Sequence, residues 1–206
     1  MKADVSPAAS LTAPEDDWRK FALMAAGMGL TLAAAHGFGL MLETPPAASL
    51  RFEWAGLAAG VAATAPLVLL LEWFMRTGYP PLARFRVSQI GFFAGIGFRF
   101  TPFRIAVLAL GAGVTEELLF RGVLQTWAAG EMPLVLAVVL PNILFGALHW
   151  RTTLYAVIAG LVGVYFGTLF LVTGNLLAPI VAHALYDVVA LQKTARAIAA
   201  RDAKTL

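Results

Sequence analysis

Ionisable side chains lie inside apolar segments that are long enough to cross a lipid bilayer, and this combination constrains the fold more than any other feature of the sequence. The chain is 60% hydrophobic and only 13% charged, whereas soluble domains average about 25% charged residues. Because about 20 apolar residues in a helix span the hydrocarbon core, the sequence predicts an all-α, polytopic membrane bundle of about six transmembrane helices. The predicted spans cover about 18–42, 53–75, 103–128, 132–150, 153–173 and 176–192.

The stretch at about 82–100 differs from the predicted spans because arginine and phenylalanine are interleaved along it. This mixture is typical of a helix that lies in the headgroup region, so we expect an interfacial amphipathic helix there. We expect a single transmembrane helical domain at 18–192, whose motif-bearing core is about 100–190. A polar, disordered N-terminal tail is expected at 1–17, and a basic cytoplasmic tail at 193–206.

The distribution of basic residues predicts the orientation. With the N-terminus in the cytoplasm, every lysine and arginine except Arg51 and Arg121 falls in a cytoplasmic segment. This asymmetry follows the positive-inside rule, so we expect an integral protein of the bacterial inner membrane with both termini cytoplasmic. Because the basic residues form no single patch, we expect the lipid bilayer and not nucleic acid as a partner. The absence of cysteine excludes disulfides, thiolate nucleophiles and cysteine-ligated metals.

The first charged motif places Glu116, Glu117 and Arg121 within one predicted span. Glu117 and Arg121 are four residues apart and share a helical face, which predicts an ion pair. Glu116 is rotated by about 100° from its neighbour and has no cationic partner at helical spacing. Glu116 is therefore the candidate general base. The alternative is that it caps or hydrogen-bonds a neighbouring backbone group.

Two further motifs place a histidine four residues from a second side chain: Phe145 with His149, and His183 with Asp187. A single buried histidine is more often a satisfied core residue than a catalyst. Two histidines and two carboxylate-bearing motifs, in spans with few other ionisable groups, instead predict one shared site.

The shared site requires the two histidines to lie at a similar depth. Counting 1.5 Å per residue from the predicted loops places His149 near the cytoplasmic end of its span and His183 in the outer part of another. We expect a break or tilt at Pro141 or Pro179, or short spans around a water-filled cavity, to bring the motifs together.

The residue types allow two kinds of hydrolytic chemistry and one noncatalytic role. A zinc site needs three nitrogen or oxygen ligands and a water, although no His-Glu-x-x-His helix is present. The metal-free alternative is a Glu-His dyad that polarises water, with His183 and Asp187 stabilising the charge on a scissile carbonyl. We favour this alternative, which needs no cofactor and no metal. A proton-coupled transporter or a partner-binding scaffold would use the same buried groups as a relay.

The three motifs in order, Glu116-Glu117-x-x-x-Arg121, Phe145-x-x-x-His149 and His183-x-x-x-Asp187, resemble those of a known family. This is the CAAX-protease and bacteriocin-processing (Abi) family of intramembrane glutamic endopeptidases, whose eukaryotic member is the Ras-converting enzyme. The resemblance covers about residues 100–190.

The resemblance implies an endopeptidase that hydrolyses a peptide bond of a membrane-anchored protein or peptide. It implies that Glu116 and His149 activate the water and that His183 and Asp187 form the oxyanion site. The family has Asn or Asp at the last position, and an ionised Asp would repel an oxyanion, so Asp187 is protonated or acts by orienting His183. Supporting roles are expected for Glu117, Arg121, Phe145 and Asn142.

Overall fold

A computed structural model describes residues 16–203, and within this range the chain forms only helices. The elements are α1 (Trp18–Met41), α2 (Trp54–Arg76), α3 (Pro80–Gly95), α4 (Pro102–Glu117), a π-helical segment (Leu118–Gln125), α5 (Thr126–Glu131), α6 (Leu134–Leu148), α7 (Thr153–Thr173) and α8 (Leu177–Asp202). The predicted all-α class is therefore confirmed. Most of the predicted N-terminal tail and the last three residues of the predicted basic tail lie outside the described residues.

Three of these helices, α1, α2 and α7, are long and apolar enough to cross a membrane. Helix α6 is equally apolar but shorter. The remaining two predicted spans, in α4–α5 and in α8, are helical but carry several charged residues. Length and composition thus support a membrane-spanning protein, and the count of six spans stays a prediction.

Helix α4, the π segment and α5 follow one another without a break from Pro102 to Glu131. A π-helical turn adds a residue to the repeat and is found mostly at functional sites. Here Thr126 donates its hydroxyl to the carbonyl of Arg121 at 2.8 Å, satisfying an oxygen inside the wide turn. The π segment therefore changes the direction in which the motif side chains point, and the helix continues through it.

Two boundaries differ from the sequence expectation. Helix α3 ends at Gly95, and the chain then turns through Gly97, whose φ of +89° favours glycine. Helix α8 continues to Asp202, so residues 193–202 extend a helix of the bundle where the sequence predicted a tail. The extension contacts the bundle because Lys193 pairs with Glu72 of α2.

Helix α8 is the centre of the bundle and packs on α2, α3, α4 and α7. Small residues permit the close approach: a Cβ at Gly60 of α2 would lie 2.6 Å from the carbonyl of Ala178, and one at Gly113 of α4 would lie 2.9 Å from the backbone nitrogen of Ala184. Helix α1 packs on α4 and the π segment, and among the described residues it has no backbone contact with α2 or α3. A gap therefore separates α1 from α2.

The segment between α1 and α2 closes one end of the bundle. The backbone N–H of Leu176, which precedes α8, donates to the carbonyl of Ser49 at 2.9 Å, and Asn175 donates to the carbonyl of Arg51 at 2.9 Å. Gly122 in the π segment lets the carbonyl of Pro46 approach closely. This connection fixes the start of α8 beneath residues 42–53.

At the opposite end, the start of α1 is held against the turn before α4. Asp16 accepts hydrogen bonds from the backbone N–H of Arg99 and from the Arg104 guanidinium. These donors, led by the Arg104 side chain, hold the pKa of the Asp16 carboxyl below its usual range. The Arg104 guanidinium also lies over the rings of Phe21 and Phe98. We call this the basic end, because the turns at 76–80, 95–102 and 148–153 lie here with their arginines.

Candidate active site

Arg121 joins three elements in the centre of the bundle. Its guanidinium donates to Glu117 Oε1 at 3.1 Å, to Asn142 Oδ1 at 2.9 Å and to the carbonyl of Gly163 at 2.5 Å. The side chains of Glu117 and Arg121 are both 0% exposed. A buried charge is tolerated only when it is paired and hydrogen-bonded. These contacts pair the two charges, and Glu117 Oε2 and Arg121 Nε are left without a hydrogen-bond partner among the described residues. The structure therefore brings together the pair expected from the i, i+4 spacing.

His183 is held by the same carboxylate. Its Nδ1 lies 2.8 Å from Glu117 Oε1, and its ring stacks on Phe166 with centroids 4.9 Å apart and an interplanar angle of 19°. Because Glu117 Oε1 also accepts from Arg121, the carboxylate is an acceptor and Nδ1 is the donor. The Nε2 atom of His183 then faces two other carboxylates, Asp187 Oδ2 at 3.6 Å and Glu116 Oε2 at 3.9 Å.

Adjacent glutamates have different surroundings. The side chain of Glu117 is fully buried, whereas that of Glu116 is 22% exposed and lines a cavity. Within the described residues Glu116 has no arginine or lysine within ion-pair distance. The carboxylate of Glu117 is thus occupied by its contacts with Arg121 and His183, whereas that of Glu116 can contact a molecule bound in the cavity.

His149 ends α6, and the carbonyl of Phe145 fixes its ring. The Nδ1 atom lies 2.8 Å from that carbonyl oxygen, which can only accept a hydrogen bond. The proton is therefore on Nδ1, and Nε2 is left for the cavity that His149 lines together with Glu116. No ion pair joins Glu116 to His149 within residues 16–203, so a joint action on one substrate would pass through a water or the substrate itself.

Short helices, not broken ones, bring the motifs to one level. Glu116 precedes the end of α5 by 15 residues, and α6 returns over 15 residues to His149. Helix α6 rises by about 22 Å from the turn at 132–133 to His149. The continuous helix that carries Glu116 leaves the same turn and includes the π segment. The start of α8 is buried, and His183 follows about 9 Å further along.

The expected break at a proline is not present. Helix α6 continues through Pro141. Pro179 lies in the first turn of α8, where its missing N–H leaves no helical bond unmade.

The four predicted catalytic side chains, Glu116, His149, His183 and Asp187, line one cavity of ≈ 730 Å³. This volume lies within the range of about 300–1,000 Å³ that is usual for ligand sites. The rest of the lining is mainly apolar and comes from α1, α2, α3 and α7. The cavity thus offers ionisable groups at one place in an otherwise apolar wall.

Several residues of this site had not been singled out from the sequence. Phe166 stacks on His183, and Gln125 donates to the carbonyl of Gly167 at 2.9 Å. Gly163 and Gly167 are four residues apart, a spacing typical of close helix packing. The sequence could therefore have indicated these two residues. A Cβ at Gly163 would contact the side-chain oxygen of Asn142, so glycine is required where Arg121 meets α7. Phe166 has no comparable signal, because phenylalanine is frequent throughout the chain.

Among residues 16–203 no group of three or more histidine, aspartate or glutamate side chains is arranged to hold a metal ion. The carboxylates around His183 are already engaged with that ring or with Arg121. The predicted lack of a cofactor or metal stays a prediction, which chelation can test.

Comparison with known proteins gives one match. Residues 98–189 match the family described as type II CAAX prenyl endopeptidase, Rce1-like. The motif-bearing segment is Rce1-like. No curated protein and no solved structure matches the chain. The match confirms the family resemblance of the three motifs and covers somewhat less than half of the sequence.

The Rce1-like segment begins just before α4 and ends within α8, so it contains Glu116, His149, His183 and Asp187. The cavity wall from α1, α2 and α3, and the part of α8 after residue 189, lie outside it. The family is one of proteases that act on membrane-anchored proteins. The Rce1-like segment therefore supports a membrane protease, and the roles of individual residues belong to the proposal that follows.

Proposed function

We propose that this protein is an intramembrane endopeptidase that hydrolyses a peptide bond of a membrane-anchored protein with a glutamate-activated water. The observation that carries the proposal is the convergence of Glu116, His149, His183 and Asp187 on one cavity within the Rce1-like segment. A CAAX-type prenylated protein is the substrate class that the family name suggests.

Glu116 is the proposed general base. Of the two glutamates beside His183, Glu116 has the accessible carboxylate, since Glu117 is buried and engaged twice. It takes a proton from water as the oxygen attacks the scissile carbonyl, and it returns a proton to the leaving amine. His149, whose Nδ1 is engaged by a carbonyl, contributes Nε2 as a second hydrogen-bond partner for the water.

His183 is the proposed donor to the oxyanion. Its Nδ1–H is fixed by Glu117, so donation from Nε2 requires the doubly protonated ring. The neighbouring carboxylates balance that positive charge, and stacking on Phe166 holds the ring plane. Asp187 lies 3.6 Å from Nε2 and orients the imidazole in this scheme.

The gap between α1 and α2 is the proposed path for the substrate. Both helices line the cavity, α1 with Met24 and Met28 and α2 with Leu67 and Leu71, and no backbone contact closes the space between them in the described part of the chain. An apolar anchor could move sideways from lipid into such a gap, while the peptide part stays near the basic end. We propose that the basic end faces the cytoplasm, in line with the charge asymmetry.

The decisive experiment compares Glu116→Gln with Glu131→Gln in purified protein. Glu131 is an exposed glutamate at the end of the same continuous helix and is the matched control. On an S-farnesylated peptide, Glu116→Gln should lower kcat by about 10²–10⁴-fold, and Glu131→Gln should leave it unchanged. Turnover by Glu116→Gln above about a tenth of wild type would contradict the role of Glu116 as base.

A further inference from the structure

A second cavity of ≈ 660 Å³ adjoins the catalytic one at the basic end. It lies between the start of α1, the end of α3 and the turn from α6 to α7. The two cavities share Met24, Gln89, Phe93, His149 and Tyr155 in their walls. A chain bound at Glu116 can therefore continue past His149 into the second cavity.

The two cavities differ in their charged linings. Glu116 and Asp187 line the first together with Arg86, whereas the described residues that line the second include the cations Lys20 and Arg151 and no carboxylate. A bound group with a negative charge is thus favoured in the second cavity over the part of the first that holds Glu116 and Asp187.

Two residues in the wall of the second cavity carry buried donors without a partner in the part of the chain that the structure describes. Gln89 Nε2 and Arg151 Nη2 are inaccessible to solvent, and neither makes a hydrogen bond within residues 16–203. An unpaired buried donor costs about 1–3 kcal/mol, and more when it is charged. Such donors indicate a place where an acceptor binds, since a ligand would supply the missing partner.

The guanidinium of Arg151 packs against two aromatic rings. Its carbon lies 4.0 Å from the ring centroid of Phe92 and 5.4 Å from that of Tyr155. These rings offer no conventional hydrogen-bond acceptor, and the planar fork of a guanidinium matches the geometry of a carboxylate.

We propose that Arg151 and Gln89 bind the free carboxylate at the C-terminal end of the substrate. This inference rests on the proposed function, because it assumes that the peptide bond to be cleaved lies at Glu116. His149 lies in the walls of both cavities, and Arg151, two residues later, lines the second. The carboxylate would thus lie in the second cavity while the scissile bond lies in the first.

The test measures binding, so that it does not depend on cleavage. The probe is a dansyl-labelled peptide with an S-farnesyl cysteine four residues from its C-terminal end, made as the free acid and as the amide. The protein is the full chain with Glu116→Gln, reconstituted in nanodiscs of uncharged lipid. We expect the acid to bind about tenfold or more tightly than the amide, as for loss of hydrogen bonds to a charged group.

Substitutions in this background identify the residues. Arg151→Gln should remove the preference for the acid, Arg151→Lys should restore part of it by keeping the charge, and Gln89→Leu should reduce it. Arg196→Gln removes a charge from an exposed position on α8 and should leave the preference unchanged. The readout is the ratio of the dissociation constants of the acid and the amide, because a general loss of folding would weaken the binding of both peptides.

Equal binding of acid and amide by the Arg151-intact protein would overturn the inference, and so would a preference that survives both Arg151→Gln and Gln89→Leu. If peptide binding requires Arg151 only in nanodiscs that contain anionic lipid, the cavity would instead be assigned to a phospholipid headgroup. Failure of the proposed function has a different signature, which is undiminished peptide cleavage by the Glu116→Gln protein.

Discussion

Glu117 Oε1 accepts a hydrogen bond from Arg121 Nη1 at 3.1 Å and lies 2.8 Å from His183 Nδ1, so one buried oxygen connects the proposed oxyanion donor to the central arginine. Arg121 in turn binds Asn142 of α6 and the backbone of α7. The position of His183 therefore depends on contacts that reach four elements of the bundle. This arrangement makes the stability of the buried pair and the activity of the site inseparable.

The first prediction concerns that pair. Glu117→Gln or Arg121→Met alone leaves one uncompensated charge, so each should lower the free energy of unfolding by about 3–5 kcal/mol. The double variant should lose less than the sum of the two single losses, because no unpaired charge remains. Folded yield and thermal unfolding in detergent measure this effect.

The matched control is Arg51→Gln, which breaks an ion pair of similar length, 3.0 Å, whose side chains are about half exposed. That loss should stay within about 1 kcal/mol. Additive losses for Glu117 and Arg121 would argue that their charges are not coupled.

The second prediction concerns Asp187. An asparagine donates a hydrogen bond in any protonation state, so Asp187→Asn should keep activity near or above that of wild type. Asp187→Leu removes the carboxylate nearest to His183 Nε2 and should lower kcat by about 10-fold or more, in line with the loss of oxyanion stabilisation. Steady-state kinetics on one peptide compares the two. Equal, large losses in both variants would mean that the carboxylate itself is required.

The third prediction separates the Glu-His scheme from a zinc-dependent variant. Exhaustive treatment with a strong chelator should leave peptide hydrolysis intact, and elemental analysis of active protein should find no stoichiometric metal. Loss of activity on chelation, with recovery on adding zinc, would favour the metal-dependent alternative. Glu116→Gln, assayed alongside, gives the level of hydrolysis that remains without the proposed base.

The sequence predicted the helices well because hydrophobic runs of bilayer length are a strong and local signal. The pairing of Glu117 with Arg121 was also accessible, since it depends on a spacing of four residues within one helix. The hydrogen bond between Glu117 and His183 could not be predicted from the sequence. Their contact joins positions 66 residues apart, and the i, i+4 rule pointed His183 only toward Asp187 on its own helix.

The convergence of the motifs was also hidden from the sequence. Expected spans of standard length put His149 and His183 at different depths, and a break or tilt at Pro141 or Pro179, or short spans around a cavity, were the ways to reconcile them. The structure reconciles them through the 15 residues of α6 and the buried start of α8 beneath residues 42–53. Both depend on tertiary packing, in which Gly122 admits the carbonyl of Pro46.

The last prediction concerns the end of α3, in the stretch where the sequence predicted an interfacial amphipathic helix. Phe93 lines both cavities and packs on Phe100, with ring centroids 6.0 Å apart, and Phe92 lies over Arg151. Both rings thus stand between the surface of the bundle and the site, as a lid that controls access would.

Replacing Phe92 and Phe93 together with alanine should therefore change the cleavage rate or the selectivity between peptides, with normal membrane insertion. Phe103→Ala is the control, because Phe103 is 71% exposed on α4 and lines neither cavity. Kinetics on peptides with anchors of different length provide the measurement. If the double variant inserts normally and cleaves every peptide at the wild-type rate, α3 is an anchor. Removing two aromatic side chains of a gate would alter the access of at least one of the peptides.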